Sequence, residues 1–325
     1  AGTAAASTNN KIGSAGISWG ARLMPVRVLD ETGVGSAENL AAGINWAAAN
    51  GAHIILLSFG GKSYSQVLQD AINDAHSAGA LVIAAAGNCR VEYYTWSWWR
   101  DYCTEDNPTM YPAAMANVLA VSATHIGDAY TRYSQYGDHI DLAAPGGDMQ
   151  WYHDGDGILS TLPTYDEAYL TNPDSPFSYS KEYDEMRGTS QAAAHVAGVA
   201  ALVWSAETGL TADQLQARLQ DTSVDLGPAG WDPVYGWGRL DALNAVLPSV
   251  PPLLAPVLNP IDNADGDDDY TVTWESVERA DNYVLEEATR VDFGDAIQIY
   301  AGDALEFDIT KQPYGLYYYL SLIHI

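Results

Sequence analysis

Basic side chains are scarce in this sequence, with 14 lysines and arginines against 42 aspartates and glutamates, and the formal net charge is −28. Such an excess of negative charge repels phosphate backbones and anionic lipid surfaces, so we expect no nucleic-acid binding and no membrane binding by charge. Uninterrupted apolar runs of about 18 residues are also lacking, so we expect no transmembrane helix. The chain is nevertheless 47% hydrophobic, which excludes a disordered acidic tail and predicts a globular core.

Cysteine is equally scarce, because only Cys89 and Cys103 occur. A disulfide between them would close a loop of about 15 residues and stabilise the fold by roughly 3 kcal/mol through loop entropy. Such a bond favours an oxidising compartment, and hence secretion. Two unpaired buried thiols are the alternative.

Short apolar runs alternate with amphipathic segments between Arg22 and Ala86. This alternation is typical of parallel strands joined by crossover helices, so we predict an α/β domain with a doubly wound, mostly parallel sheet. The predicted strands are 23–29, 53–57, 81–86, 118–123, 140–143 and 158–161. The predicted helices are 36–49, 65–78, 190–207 and one that opens with a capping box from Thr211 to Gln214. Ligands of such sheets bind beyond the carboxyl ends of the strands, which points to 58–61 and 87–88.

A second domain is predicted after Leu247, where residues 248–256 read as a proline-rich linker. Beyond the linker the apolar residues recur with a period of two, which predicts a small all-β sandwich. The predicted strands of this domain are 270–274, 282–286, 297–300 and 305–309. The acidic run 262–269 lacks the ligand spacing of a calcium-binding loop, so we interpret it as a solvated turn.

Ser190 is the strongest candidate for a chemically active side chain. It lies in the first turn of a predicted buried helix and follows Gly188 and Thr189. The positive end of the helix dipole and the free backbone donors there would stabilise developing negative charge, which suits a nucleophile. A plain serine N-cap is the commoner alternative.

The residues around Ser190 form the motif GTS-x-A-x-x-HVAG, which resembles the nucleophile motif of the subtilisin-like serine proteases. The segment VIAAAGN, residues 82–88, resembles their oxyanion-hole segment. Further matching segments follow the family order over residues 1–247: AGT, GISWGARLMPVRVLD, ILLSFGG, YG, DLAAPG, ILSTLP and YGWGRLDA. The resemblance therefore implies a subtilisin-like peptidase domain at 1–247.

The resemblance implies a role for each matching residue. Ser190 would attack the scissile carbonyl, and the side-chain amide of Asn88 would hold the oxyanion together with the Ser190 backbone N–H. The segment that would pair with the substrate backbone as an added strand consists of Ser58, Phe59 and Gly60. The residues that would line the pocket for the substrate residue before the cut are Ala85, Ala86 and Gly87. The segment 111–113 resembles the YPA segment of the family, which implies a cis peptide bond before Pro112, and an ordinary trans bond is the alternative.

The partner implied by the resemblance is a polypeptide substrate, and catalysis would require no cofactor. Structural calcium is common in the family, but no complete ligand set can be assigned in this sequence, so the metal ligands stay unknown. We expect a secreted or extracellular protein.

The chain departs from the family pattern at its beginning. The catalytic histidine would lie about five residues before Ala1, and the catalytic aspartate earlier still. His195, five positions after Ser190, is interpreted as a packed core histidine. We therefore expect residues 1–325 to be a truncated serine endopeptidase that lacks its general base and is almost inactive. A catalytically silent peptide-binding or adhesion protein is the alternative.

Residues 257–319 resemble a truncated fibronectin type III-like sandwich in which 315–319 is the penultimate strand and the last strand is absent. The hexapeptide 320–325, LSLIHI, matches a translation of a widely used sequencing-library adapter, so we expect it to be foreign and outside the fold. The ligand of this domain is not predicted.

Overall fold

The computed structural model describes residues 1–90, 103, 105–148, 157–164, 182–247, 256–261, 269–277, 282–290, 295–310 and 317–324. The chain divides into two compact units, Ala1–Ser249 and Val250–Ile325. Most of the predicted linker and of the predicted acidic turn lies outside the described residues.

The centre of the first unit is a four-stranded parallel sheet in the order β1-β2-β3-β4. Its strands are β1 (Ile54–Leu57), β2 (Leu81–Ala85), β3 (Leu119–Thr124) and β4 (Leu142–Pro145). Every residue of β2 and β3 is buried, because apolar clusters cover both faces of the sheet. Leu81, Ile83 and Ala85 belong to one cluster, whereas Val82 and Ala84 belong to the other. This layering confirms the predicted α/β class.

Six helices are described in the first unit: α1 (Gly2–Ala5), α2 (Ala37–Ala49), α3 (Gln66–Ser77), α4 (Thr189–Ala206), α5 (Ala212–Asp221) and α6 (Ala242–Val246). Helices α2 and α3 supply one apolar cluster, and α4 and α5 supply the other. The predicted capping box of Thr211 and Gln214 is confirmed. Ser36 and Ser65 also cap their helices, since the side chain of each accepts a backbone N–H of the first turn. None of the described helices is long and apolar enough to cross a membrane.

One strand prediction in this unit is wrong, and another is right in position but not in the sheet to which the strand belongs. Residues 23–29 carry no strand pairing, and Val26 and Val28 instead lie against Gly43 of α2. Residues 158–161 do form a strand, β5 (Ile158–Thr161), but it pairs antiparallel with β6 (Tyr183–Met186) in a separate sheet. Leu23 and Met24 are exposed and Val26 and Val28 are only half-buried, so the apolar pattern of 23–29 indicated neither pairing nor full burial. Strand pairing depends instead on which backbone lies alongside.

The second unit contains five antiparallel strands among its described residues: β7 (Tyr270–Thr273), β8 (Asn282–Ala288), β9 (Ile297–Gly302), β10 (Glu306–Ile309) and β11 (Tyr318–His324). They form a two-stranded sheet, β10-β7, and a three-stranded sheet, β11-β8-β9. Their shared core comprises Val272, Trp274, Tyr283, Leu285 and Ile309. The prediction of a small antiparallel β domain is confirmed.

Residues 320–324, which the fold prediction does not include, belong to the last strand of this unit. Strand β11 runs to His324 and pairs with the whole of β8, from Tyr318 opposite Ala288 to His324 opposite Asn282. The exposed edge of β8 offers unpaired backbone groups to any extended segment, which explains the pairing. The foreign origin of the hexapeptide stays a prediction.

Candidate active site

The candidate site lies where the carboxyl ends of β1 and β2 meet the first turn of α4. Ser58 directly follows β1, Asn88 lies three positions after the end of β2, and Ser190 is the second residue of α4. The structure therefore brings together the three polar residues that the motifs single out. Their chemical roles stay predictions.

The side chain of Ser190 contacts the segment after β1. Its hydroxyl group donates a hydrogen bond to the main-chain oxygen of Ser58, with 3.3 Å between the oxygens. The Ser58 hydroxyl group donates in turn to the main-chain oxygen of Ser190 at 3.4 Å. This reciprocal pair holds the hydroxyl of Ser190 on the partly exposed side of the helix N-terminus.

Asn88 is oriented by the residue before the serine. Its Oδ1 accepts hydrogen bonds from the backbone N–H and from the hydroxyl group of Thr189, both at 2.9 Å. The same hydroxyl oxygen accepts the N–H of Gly87 at 3.1 Å. Because two donors meet Oδ1, the amide group is fixed with Nδ2 on its other side, where it can donate to an anion.

Gly188 separates Asn88 from the Ser190 backbone. It is the N-cap of α4, with φ 148° and ψ 159°, a conformation that residues other than glycine rarely adopt. A Cβ atom on Gly188 would lie 3.3 Å from Asn88 Nδ2 and 3.7 Å from the Ser190 nitrogen. Two N–H donors thus flank one small region beside the α4 N-terminus, which is the arrangement that an oxyanion requires.

Gly188 is itself held by buried polar contacts. Its N–H donates to the main-chain oxygen of Gly146 at 3.0 Å and to the Tyr133 hydroxyl at 3.1 Å. Tyr133 is 2% exposed, and burial raises the pKa of its hydroxyl group. The phenol therefore stays neutral, and it donates to the main-chain oxygen of Gly147.

The predicted substrate-binding residues differ in exposure. Ser58 is exposed and Phe59 and Gly60 are half-buried, and the next residue, Gly61, forms an antiparallel bridge with Tyr111. Ala85 and Ala86 are 5% and 0% exposed, so among 85–87 only Gly87 reaches the surface of the described structure. Contact of these residues with a substrate stays a prediction.

His195 is packed in the protein, as predicted. Its Nδ1 donates to the main-chain oxygen of Gln191 at 2.9 Å, one turn earlier in α4. Burial lowers the pKa of His195, because desolvation disfavours the charged imidazolium. No histidine in the described part of the chain is hydrogen-bonded to Ser190.

Covalent features next to the site agree with two predictions. Cys89 and Cys103 form a disulfide with 5.2 Å between their Cα atoms, which confirms the predicted pairing. Cys89 directly follows Asn88, and its N–H donates to Gln135 Oε1 at 3.4 Å. The Tyr111–Pro112 peptide bond is cis, also as predicted.

Sequence reasoning missed the positioning role of Thr189 and the buried contacts of Gly188. A hydroxyl residue between a glycine and the candidate nucleophile was the available signal for Thr189. No local signal indicated Tyr133, which lies 55 positions before Gly188.

The comparisons with known proteins agree on one family. Residues 1–238 match the model of the Peptidase_S8 subtilase family. M-protease from Shouchella clausii (strain KSM-K16) is 36% identical over 242 residues, covering 74% of this chain and 52% of that protein. Thermitase from Thermoactinomyces vulgaris is 36% identical over 246 residues, covering 76% of this chain and 72% of that protein. The chain thus spans about half of M-protease and nearly three quarters of thermitase.

Two solved structures that are similar to this chain are also structures of proteases. A structure described as proteases from Pseudoalteromonas arctica has a TM-score of 0.62 and 35% identity, covering 76% of this chain and 69% of that one. A lanthipeptide protease has a TM-score of 0.55 and 28% identity, covering 68% of each chain.

Proposed function

Because the chain belongs to the subtilase family, we propose that it is part of a secreted serine endopeptidase that forms an acyl-enzyme on Ser190. The observation that supports this most is the pair of N–H donors, Asn88 Nδ2 and the Ser190 backbone, on either side of Gly188. The sandwich at the other end of the chain is proposed to be fibronectin type III-like.

In the proposed reaction, Ser190 Oγ forms a bond to the scissile carbonyl carbon while its proton passes to a histidine acting as general base. The carbonyl oxygen becomes an oxyanion and accepts hydrogen bonds from Asn88 and the Ser190 N–H. The peptide C–N bond then breaks as the histidine protonates the leaving amine. Water, activated by the same histidine, hydrolyses the ester and restores Ser190.

The general base is proposed to come from the HGTxVAGT segment of the family, about five residues ahead of Ala1. His195 is unsuited to this role, since its ring is packed along α4 and among the described residues it makes no hydrogen bond to Ser190. Without a base the serine hydroxyl is a weak nucleophile, so the printed chain alone should retain little activity.

Two further features support the proposed mode of substrate binding and the proposed secretion of the protein. Residues 58–60 lie next to Ser190 and would pair with an extended polypeptide as an added strand. The Cys89–Cys103 disulfide supports an oxidising compartment, in keeping with secretion.

The test is labelling with a fluorophosphonate probe, which reacts with an activated serine. We would express the gene with the coding region ahead of Ala1, together with Ser190→Ala and the control Ser205→Ala. Ser205 lies at the exposed end of α4, so it is matched in residue type and helix. We expect labelling and peptide hydrolysis in the parent and in Ser205→Ala, and neither in Ser190→Ala.

Unchanged labelling of Ser190→Ala would remove Ser190 from its role. Binding of peptides without hydrolysis by the extended protein would favour the catalytically silent alternative. An upstream frame that encodes neither a D-[ST]-G nor an HGTxVAG motif would also contradict the protease assignment.

A further inference from the structure

Two glycines of the predicted substrate-binding segments contact the same buried side chain. Gly60 belongs to the segment that would pair with the substrate backbone, and Gly87 to the segment that would line the pocket for the residue before the cut. A Cβ atom on Gly60 would lie 3.4 Å from Met110 Cε, and one on Gly87 would lie 2.9 Å from Met110 Cγ. The side chain of Met110 thus reaches both walls of the predicted pocket.

Gln135 fills the same space from the side of Gly87. A Cβ atom on Gly87 would overlap with Gln135 Oε1 and would lie 2.8 Å from Gln135 Cδ. Met110 and Gln135 are 3% and 1% exposed, so both side chains are packed inside the protein. Protein interiors are packed as densely as organic crystals, with few voids larger than a water molecule. Little room therefore remains between Gly60 and Gly87 for a substrate side chain.

Gln135 is held in this position from two sides. Its side-chain amide donates to the main-chain oxygen of Pro108, and its Oε1 accepts the N–H of Cys89 at 3.4 Å. Cys89 is in turn joined to Cys103 by the disulfide. Turning the Gln135 side chain out of the pocket would leave buried polar groups without partners, which costs free energy.

Met110 is positioned through its main chain. The next residue, Tyr111, exchanges backbone hydrogen bonds of 2.8 and 2.9 Å with Gly61, directly after the predicted substrate-pairing segment 58–60. A large substrate side chain could enter the pocket only by displacing the Met110 side chain. Because Met110 is buried, its displacement would expose apolar surface to water.

We propose that Met110 and Gln135 restrict the residue before the cut to a small side chain, so that the substrates are polypeptides cleaved after glycine, alanine or serine. This inference rests on the proposed function, because it requires the substrate to lie between 58–60 and 85–87. A small side chain extends little beyond the substrate backbone. A phenylalanine or leucine side chain, by contrast, would need the volume that Met110 occupies.

The experiment uses the protein expressed with the coding region ahead of Ala1, and chromogenic peptides that differ only in the residue before the cut. In the parent we expect kcat/KM to be at least about tenfold higher for alanine than for phenylalanine at this position. Met110→Ala vacates part of the pocket and should reduce this ratio at least about tenfold. Met115→Ala, the same truncation of a buried methionine in the cluster supplied by α2 and α3, should keep the ratio of the parent.

Equal kcat/KM values for the two peptides in the parent would overturn the proposal, as would equal ratios in Met110→Ala and Met115→Ala. If Met110→Ala fails to fold, the parent alone decides the question. Its cleavage sites in a denatured protein, mapped by mass spectrometry, should follow glycine, alanine and serine. Cleavage mainly after phenylalanine, tyrosine and leucine would refute the restriction.

Failure of the proposed function would give a different result. If the parent hydrolyses no peptide, product peptides that end in alanine or phenylalanine are titrated against Ser190→Ala by calorimetry. Tighter binding of the alanine peptide, with the difference lost when Met110→Ala is added, would support the restricted pocket without catalysis. Equal affinities would overturn it, and binding of neither peptide would contradict the proposed function as well.

Discussion

The hydroxyl group of Ser190 lies 3.3 Å from the main-chain oxygen of Ser58, a residue 132 positions earlier in the chain. The Ser58 hydroxyl returns a bond of 3.4 Å to the Ser190 carbonyl, so the end of β1 and the start of α4 hold each other. The position of the candidate nucleophile therefore depends on how α4 packs against the sheet. Changes at that junction should affect chemistry as well as stability.

Thr189 offers a test of how Asn88 is oriented. Thr189→Val removes the hydroxyl that donates to Asn88 Oδ1, while Thr189→Ser keeps it. In the extended, active protein we expect kcat to fall about tenfold or more in the valine variant with KM nearly unchanged, and Asn88→Ala to lose about 10²–10³ in kcat. Steady-state hydrolysis of a chromogenic peptide measures both constants. Equal kcat values for Thr189→Val and Thr189→Ser would contradict this orientation.

Gly188 should tolerate no side chain. Its φ of 148° is strained for alanine, and the added Cβ would lie 2.9 Å from Gln191 Oε1. We expect Gly188→Ala to destabilise the fold by about 1–3 kcal/mol and to abolish fluorophosphonate labelling. Gly209→Ala is the control, because nothing lies within 4 Å of its Cβ position. Urea unfolding measures the stability, and a loss no larger than that of Gly209→Ala would count against the strain.

The Cys89–Cys103 disulfide should contribute measurably to stability. Its closed loop spans 14 positions of sequence, for which loop entropy predicts about 3 kcal/mol. For a domain of this size we expect the double variant Cys89→Ala/Cys103→Ala to melt roughly 6–12 °C lower. Calorimetry with and without a reducing agent provides the control, since reduction should lower the melting temperature of the parent only. A reductant effect of equal size in the variant would point to another cause.

Asp141 should make stability depend on pH. Burial raises its pKa from 3.8 to about 6, although Ala120 N–H and Gln220 Nε2 donate to its carboxylate and lower it in part. Between about pH 4 and 6 the folded state then binds more protons at Asp141 than the unfolded state does. The free energy of unfolding of the parent therefore falls as the pH rises through this range. Asp141→Asn removes that dependence. Its stability relative to the parent should increase by up to about 3 kcal/mol from about pH 4 to pH 7.

Urea unfolding at half-unit pH intervals measures this difference. Gln220→Ala removes a donor that holds the Asp141 pKa down, so it should move the midpoint to higher pH. His139, whose own pKa burial lowers, lies in the same cleft of about 540 Å³, and its titration is common to parent and variant. A pH-independent difference between Asp141→Asn and the parent would refute the role of Asp141.

Local signals in the sequence predicted the elements that depend on near neighbours. The capping box at Thr211 formed as expected because it joins residues three positions apart. The family motif around Ser190 and the segment ending at Asn88 likewise identified the residues that the fold brings together. The positions of β2 and β3 followed from the apolar segments 81–86 and 118–123.

The sequence by itself determined the helices, the buried strands and the identity of the candidate nucleophile, since these follow from periodicity and short motifs. Only the tertiary structure decided that 23–29 packs without pairing, that β5 leaves the main sheet and that β11 runs to His324. It also decided that Ser58 meets Ser190 and that the Tyr133 hydroxyl reaches the N–H of Gly188. Such contacts arise when the compact chain brings distant segments together, and no local pattern encodes which segment becomes the neighbour.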